Sequence, residues 1–186
     1  MRAPTPDHVI LGILAVTPQH GYDLLERFRS QAELGRIWTM STSQLYAVLK
    51  RLEKQGLISG RQMHSEDAPP RTEYTVTEAG HGNLQAWLND PAPSASIRRV
   101  RVEFISRLYV AAQLNIDTTA MIAAQRQALG RQHDHARGLR AASGSPTEQL
   151  ALDFMIGQIE AALAWLDTCQ GYPHDLADSL TRKEST

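Results

Sequence analysis

Ser41-Thr42-Ser43-Gln44-Leu45-Tyr46-Ala47-Val48-Leu49-Lys50-Arg51-Leu52-Glu53-Lys54-Gln55-Gly56 carries the signals of one complete helix, from start to stop. Ser41 stands at the cap position. Gln44 follows three residues on, where its side chain can bond back to the cap residue's N–H. Leu45, Val48, Leu49 and Leu52 then recur at three- and four-residue steps and form a narrow inward stripe. Ser43, Gln44, Ala47, Lys50, Arg51 and Lys54 occupy much of the remaining circumference. Gly56 ends the helix in the left-handed conformation that a residue lacking Cβ takes most easily. One side of this helix packs and another stays polar, free to meet a partner.

Toward the N-terminus, Thr5 and Pro6 read as a cap and a first-turn proline for a helix over Asp7 to Val16, with Val9, Ile10, Ile13 and Leu14 at helical spacing. Thr17 and Pro18 break it, and a second helix follows Gly21, offering Tyr22, Leu24, Leu25 and Phe28. Beyond Gly56, Leu57 to Met63 and Thr72 to Thr77 read as short strands joined through the turn-rich Ser65-Glu66-Asp67-Ala68-Pro69-Pro70. Thr77 caps a fourth helix carrying Leu84, Trp87 and Leu88. The expected order is three helices, a hairpin and a helix, over residues 1–90.

Asp90-Pro91-Ala92-Pro93-Ser94-Ala95-Ser96 is proline-rich and poor in large apolar groups, which marks a boundary. A second unit of three helices is expected over residues 97–177. Its first helix carries Val100, Phe104, Ile105, Leu108 and Ala112, its second starts near Asp117, and its last starts at Pro146. The middle helix is diluted by Gln125, Gln127, Gln132, His133, Asp134 and His135, so its C-terminal half is expected to face solvent. In the last helix Leu152, Met155, Ile156, Ile159, Leu163 and Leu166 form more apolar face than one helix needs. Three helices make a thin core, and pairing with a second copy would complete it. Phe104, Leu108, Ile156, Ile159, Leu163 and Leu166 are the expected dimerisation residues.

Composition sets the limits. The chain has 186 residues, 42% hydrophobic and only 6% aromatic, which favours a folded and mostly helical protein. A net charge of −1 excludes a strong whole-molecule pull on nucleic acid, so any basic surface must be local. Residues 1–90 hold nine basic side chains against ten acidic ones, whereas residues 41–55 hold Lys50, Arg51 and Lys54 against Glu53 alone. The single Cys169 can make no intramolecular disulfide and fits a reducing, cytoplasmic location. The apolar run Val9 to Val16 reads as a core helix rather than a leader, and no stretch is long enough to span a bilayer. No metal or cofactor is expected.

Val9-Ile10-Leu11-Gly12-Ile13-Leu14, His20-Gly21-Tyr22-Asp23-Leu24-Leu25, Gln44 through Ile58, and Pro69-Pro70-Arg71-Thr72-Glu73-Tyr74-Thr75-Val76-Thr77-Glu78-Ala79-Gly80 together resemble the PadR family, in register over residues 7–90. The second unit is similar to the helical dimerisation region of the longer, virulence-activator-like members, partly through Arg101-Val102-Glu103-Phe104 to Leu108. The resemblance implies a winged helix-turn-helix, a homodimer, and regulation of nearby genes, usually by repression and often relieved by a small-molecule effector.

In such a fold the helix opening at Ser41 enters the major groove of double-stranded DNA, its N-terminal residues deepest. Ser43 and Gln44 are then the base readers. Gln44 can pair with adenine through two bonds or cap its own helix, not fully both. Tyr46 either donates to a phosphate or is a half-buried amphipathic aromatic. Lys50 and Lys54 would contact phosphates. Tyr22 either binds phosphate with the second helix's free N–H groups or staples that helix to the third. Arg61 and Arg71 flank the wing, where Glu66 and Asp67 place negative charge at the tip and Thr72-Glu73 replaces the basic pair that many family members carry. The operator is expected to be pseudo-palindromic, with half-sites about one or two helical turns apart. Trp87, Phe104, Tyr109 or Trp165 would either line an effector groove or pack as core.

Two other readings compete. An enzyme would have to use His133-Asp134-His135 or scattered serines and histidines, yet residues two apart on a helix point in different directions, and neither a phosphate-binding glycine loop nor a nucleophile elbow is present. A winged helix that binds a protein, with little specific DNA binding, is favoured by the near-neutral charge and the acidic wing tip.

Overall fold

The computed structural model describes residues 4–65 and 68–169. They form two compact units. Of the described residues, the first takes in those up to Asn89 and, again, Ile105–Leu114; the second takes in Asp90–Phe104 and residues 115–169.

The first unit opens with α1 (Asp7–Val16), in which Val9 through Leu14 are all buried. A helix apolar on every side is a central one, and here it is packed against other elements of its unit. Pro6 rather than Thr5 occupies its cap position, without a side-chain cap bond, and the Thr5 hydroxyl bonds the Asp7 carboxylate instead. A two-residue strand β1 (Gln19–His20) leads straight into α2 (Gly21–Arg29), whose Leu24, Leu25 and Phe28 are buried.

The decisive helix is α3 (Thr42–Lys54). Both halves of the capping box form, and Leu45, Val48, Leu49 and Leu52 are buried as the spacing requires. Gly56, just past its end, takes a φ of 70°. The hairpin β2 (Ile58–Ser65) and β3 (Ala68–Val76) then builds a three-stranded antiparallel sheet in the order β1-β3-β2. Its ladder runs from Ile58 opposite Val76 to Met63 opposite Arg71, with an irregularity between Met63 and Ser65. Both strands run further than the alternation suggests, because extended backbone accommodates the fixed φ of Pro69 and Pro70 that sequence reading assigns to a turn. Glu66 and Asp67 lie outside the described residues.

Thr77 closes the hairpin and caps the next helix together. Its hydroxyl donates to the Gly56 carbonyl at 2.7 Å and accepts from the Gly80 N–H at 3.1 Å, opening α4 (Glu78–Leu88). Three helices and a three-stranded sheet with α4 make the mostly helical winged helix-turn-helix expected.

The segment after the linker departs from expectation. Instead of one helix from Ile97, a short α5 (Ile97–Arg99) runs through a wide π-helical stretch, Val100–Phe104, into α6 (Ile105–Gln113). Ser106, Arg107, Val110, Ala111 and Ala112 of α6 are buried in the first unit, so the division at Ile97 gives way to an exchange of segments. Polar contacts hold α6 there: Trp38 Nε1 donates to Ser106 Oγ at 2.9 Å, and Tyr109 bonds both Arg27 and Glu33.

In the second unit α7 (Thr119–Ala142) and α8 (Pro146–Thr168) pack antiparallel. Polar pairs join Arg126 to Asp167, His133 Nε2 to Glu160 Oε1 (3.0 Å) and Arg140 to Asp153 (2.7 Å). On each helix the partners recur every seven residues, the period at which two helices keep one seam in contact. The C-terminal half of α7 is therefore not bare. Ala136 is fully buried and the His133 side chain is only 18% exposed, while Arg131, Asp134, His135 and Arg137 take the solvent side. No helix among the described residues is long and apolar enough to cross a membrane.

Candidate nucleic-acid interface

The leucine and valine stripe of α3 is spent inside the first unit, and the opposite side is open. Thr42, Ser43, Gln44, Tyr46, Ala47, Lys50 and Lys54 are all exposed. At the helix start the polar atoms are already ordered. Ser41 N–H donates to Gln44 Oε1 at 2.8 Å, Gln44 N–H donates to Ser41 Oγ at 3.3 Å, and the Ser43 and Ser41 hydroxyls lie 3.1 Å apart. Of the two roles open to Gln44, the free protein adopts the cap.

Arg51 does not contribute to the open side as its place in the sequence suggests. Its guanidinium grips the Asp7 carboxylate of α1 through both oxygens, at 2.8 and 3.0 Å. Burial works against the charged carboxylate, but the bonds from Thr5 and Arg51 and the guanidinium charge outweigh it and hold Asp7 below its ordinary pKa. The positive charge directed outward by α3 is thus that of Lys50 and Lys54, neither of which pairs with any described residue.

Beside the helix lies a groove of about 540 Å³ bounded by His20, Tyr22 and Asp23 of the β1–α2 corner, Tyr46 of α3, and Arg71, Thr72 and Tyr74 of the wing. Tyr22 is 64% exposed, which excludes its alternative role as a core staple. Tyr46 is 45% exposed and lies against Gly21, where a Cβ would come within 2.9 Å of its ring and hydroxyl. Tyr46 thus rests one edge against Gly21 and stays open beside the groove, which leaves both of its readings standing. Burial raises the Tyr74 pKa, and the nearby Glu53 and Tyr46 charges add to this, keeping its phenol neutral where it lines the groove.

Sequence reading missed His20 and Thr72 as groove residues. They meet only because β1 pairs with β3, with His20 opposite Glu73 and its Nδ1 3.3 Å from the Thr72 carbonyl oxygen. The His20-Gly21-Tyr22 motif was the available signal, but a two-residue strand leaves no alternation to read. Arg71 reaches the groove; Arg61 is exposed on β2 opposite Glu73 and does not line it.

The expected dimerisation residues divide. Phe104, Ile159 and Leu166 are buried within the chain itself, with Phe104 meeting Trp165 edge-on at 6.1 Å. Leu108, Ile156 and Leu163 are half-buried. The open apolar positions on α8 are Leu150, 72% exposed, and Phe154, 70% exposed, continued along the same side by the exposed Gly157, Ala161 and Ala164. An amphipathic helix with two apolar sides does not declare which of them its own chain covers.

The aromatics considered for an effector groove are engaged elsewhere. Trp87 stacks on His8 at 4.9 Å with the Arg107 guanidinium 5.5 Å from its ring. Burial, chiefly, lowers the His8 pKa, so this imidazole stays neutral. Tyr109 is pushed up to about 12 by burial and by Glu33, against the opposing effect of Arg27.

Residues 10–86 match the transcriptional regulator PadR-like family. A relative from Bacillus subtilis (strain 168), the negative transcriptional regulator PadR, is 33% identical over 104 residues, 55% of this chain and 54% of that protein. A protein of Mycobacterium tuberculosis named as a probable transcriptional regulator is 26% identical over 84 residues, 45% of this chain and 43% of that one. The chain thus spans about half the length of the relatives it matches. Among solved structures, Bacillus subtilis PadR in complex with operator DNA aligns with a TM-score of 0.46 and 23% identity, covering 92% of this chain and 99% of that one. The same protein in complex with p-coumaric acid aligns with a TM-score of 0.42 and 22% identity, covering 91% and 98%.

Proposed function

We propose that this chain, whose residues 10–86 match the PadR-like family of transcriptional regulators, binds double-stranded operator DNA as a homodimer and represses the genes beside that operator. The observation that carries this reading is the division of α3: four apolar residues anchor it while Ser43, Gln44, Tyr46, Lys50 and Lys54 stand exposed on the remaining surface. A helix so mounted fits the major groove, where each base pair displays its own donors and acceptors. The groove beside it, with the exposed Tyr22 and Tyr46 and with Arg71, would take the adjacent phosphates.

The experiment is a competitive gel shift on the DNA upstream of the protein's own gene, against random duplex. Changing Ser43 and Gln44 together to Ala should abolish operator preference while largely keeping non-specific affinity. Operator selectivity unchanged in that double variant would remove the assignment. Failure of the unaltered protein to prefer any sequence would favour the protein-interaction reading, which the capture of Arg51 by Asp7 and the near-neutral charge of residues 1–90 support.

The second unit is the dimerisation region on this reading, and the apolar side of α8 around Leu150 and Phe154 supports it, since a second copy would cover side chains left about 70% exposed. Leu150→Lys with Phe154→Lys should yield a monomer in sedimentation that keeps its helicity and loses affinity for a two-half-site operator. A dimer of undiminished strength would place the contact elsewhere. Relief by a small-molecule effector belongs to the same proposal; its check is the operator complex titrated with phenolic acids, p-coumaric acid first, the ligand in one of the aligned PadR structures.

A further inference from the structure

The base that Gln44 reads follows from which of its atoms is already committed. A glutamine amide offers one oxygen that accepts and one nitrogen that donates two protons. Here Oε1 takes the Ser41 N–H at 2.8 Å, and the return bond from Gln44 N–H to Ser41 Oγ at 3.3 Å holds the pair in a closed ring. Nε2 has no hydrogen-bond partner among the described residues, and the residue is exposed at the leading end of α3. With the oxygen turned back into the first turn of the helix, the face left for a ligand is a pure donor.

We infer that Gln44 reads its base by donation alone and selects guanine, not the adenine with which glutamine usually pairs. This rests on the proposed entry of α3 into the major groove. The two-bond pair with adenine needs the amide oxygen to accept from N6 while the nitrogen donates to N7. Freeing that oxygen gives up the Ser41 N–H bond, the return half of the capping box. Guanine presents two acceptors, O6 and N7, to the two protons of Nε2 and requires no such release. Thymine O4 and adenine N7 each offer one, and cytosine presents its own amino donor, which opposes the contact. Ser43, whose hydroxyl can donate or accept, would read a different pair and does not bear on this choice.

The test is selection of bound duplexes from a randomised double-stranded library, sequenced for the full-length protein and for Gln44→Ala and Gln44→Glu. The unaltered protein should favour guanine over adenine at one pair in each half-site by about tenfold. Gln44→Ala should flatten that pair and leave the others. Gln44→Glu keeps an oxygen for the capping box and turns the other outward as an acceptor, so the preference should move to cytosine. Ratios among bases are read within each variant, so the added negative charge, which weakens all duplexes alike, drops out. Adenine selected at the pair that Gln44→Ala flattens overturns the inference, as does an unchanged preference in Gln44→Glu. An unaltered protein that selects no base at any pair takes down the operator reading and this inference with it.

Discussion

Gly80→Ala should cost the first unit about 3 kcal/mol, a large effect for one methyl group. A Cβ at Gly80 would fall inside the van der Waals surface of the Leu57 carbonyl oxygen, and also within 2.7 Å of Val76 Cγ2. That carbonyl cannot retreat, since it accepts the Thr77 N–H at 3.0 Å, while Gly80 N–H is itself bonded to the Thr77 hydroxyl. The methyl group can be admitted only by lifting α4 from the start of the wing, which breaks the cap and unseats Leu84 and Leu88. Gly82→Ala, two residues along the same helix, is the control, because a Cβ there meets nothing. It should stabilise the protein by about 0.5–1 kcal/mol through helix propensity. Urea unfolding of the two variants should give opposite signs, and equal midpoints would refute the argument from packing.

Reversing Lys50 and Lys54 to Glu should lower affinity for every duplex by roughly a hundredfold, as expected when two charge-assisted phosphate bonds are removed together. Base preference should stay as it was, because these side chains would touch phosphates and not base edges. The milder pair Lys50→Gln and Lys54→Gln should reduce the slope of log affinity against log salt by about two. Arg51→Gln supplies the contrast. Its charge is held by Asp7, so the variant should loosen the contact of α3 with α1 and leave the salt slope nearly unmoved. A salt slope that falls as much for Arg51→Gln as for the lysines would mean that Arg51 leaves Asp7 when DNA arrives.

The contrast between Arg51 and its lysine neighbours also measures what residue order can disclose. By position all three are basic and lie on the polar side of one helix. Only the fold reveals that one of them meets a carboxylate 44 residues earlier in the chain. Gln44, at the opposite end of the helix, is the reverse case: both partners of its capping bond lie within four residues, and the bond is legible in the order of residues alone.

What residue order settled on its own is whatever depends on neighbours a few positions away. The capping box of Ser41 and Gln44, the left-handed stop at Gly56, the apolar stripe of α3, the hairpin and the Thr77 cap all fall in that class, because helix turns and tight loops close over three or four residues. Tertiary packing alone decided the rest. It added β1 to the sheet and so brought His20 and Thr72 to the groove. It drew Ile105–Leu114 into the first unit, aligned the polar pairs of α7 and α8 at seven-residue steps, and covered Ile159 and Leu166 while leaving Leu150 and Phe154 open. Those outcomes hang on which distant surface arrives first to bury an apolar side, and hydrophobic attraction, having no direction of its own, does not write that choice into local spacing.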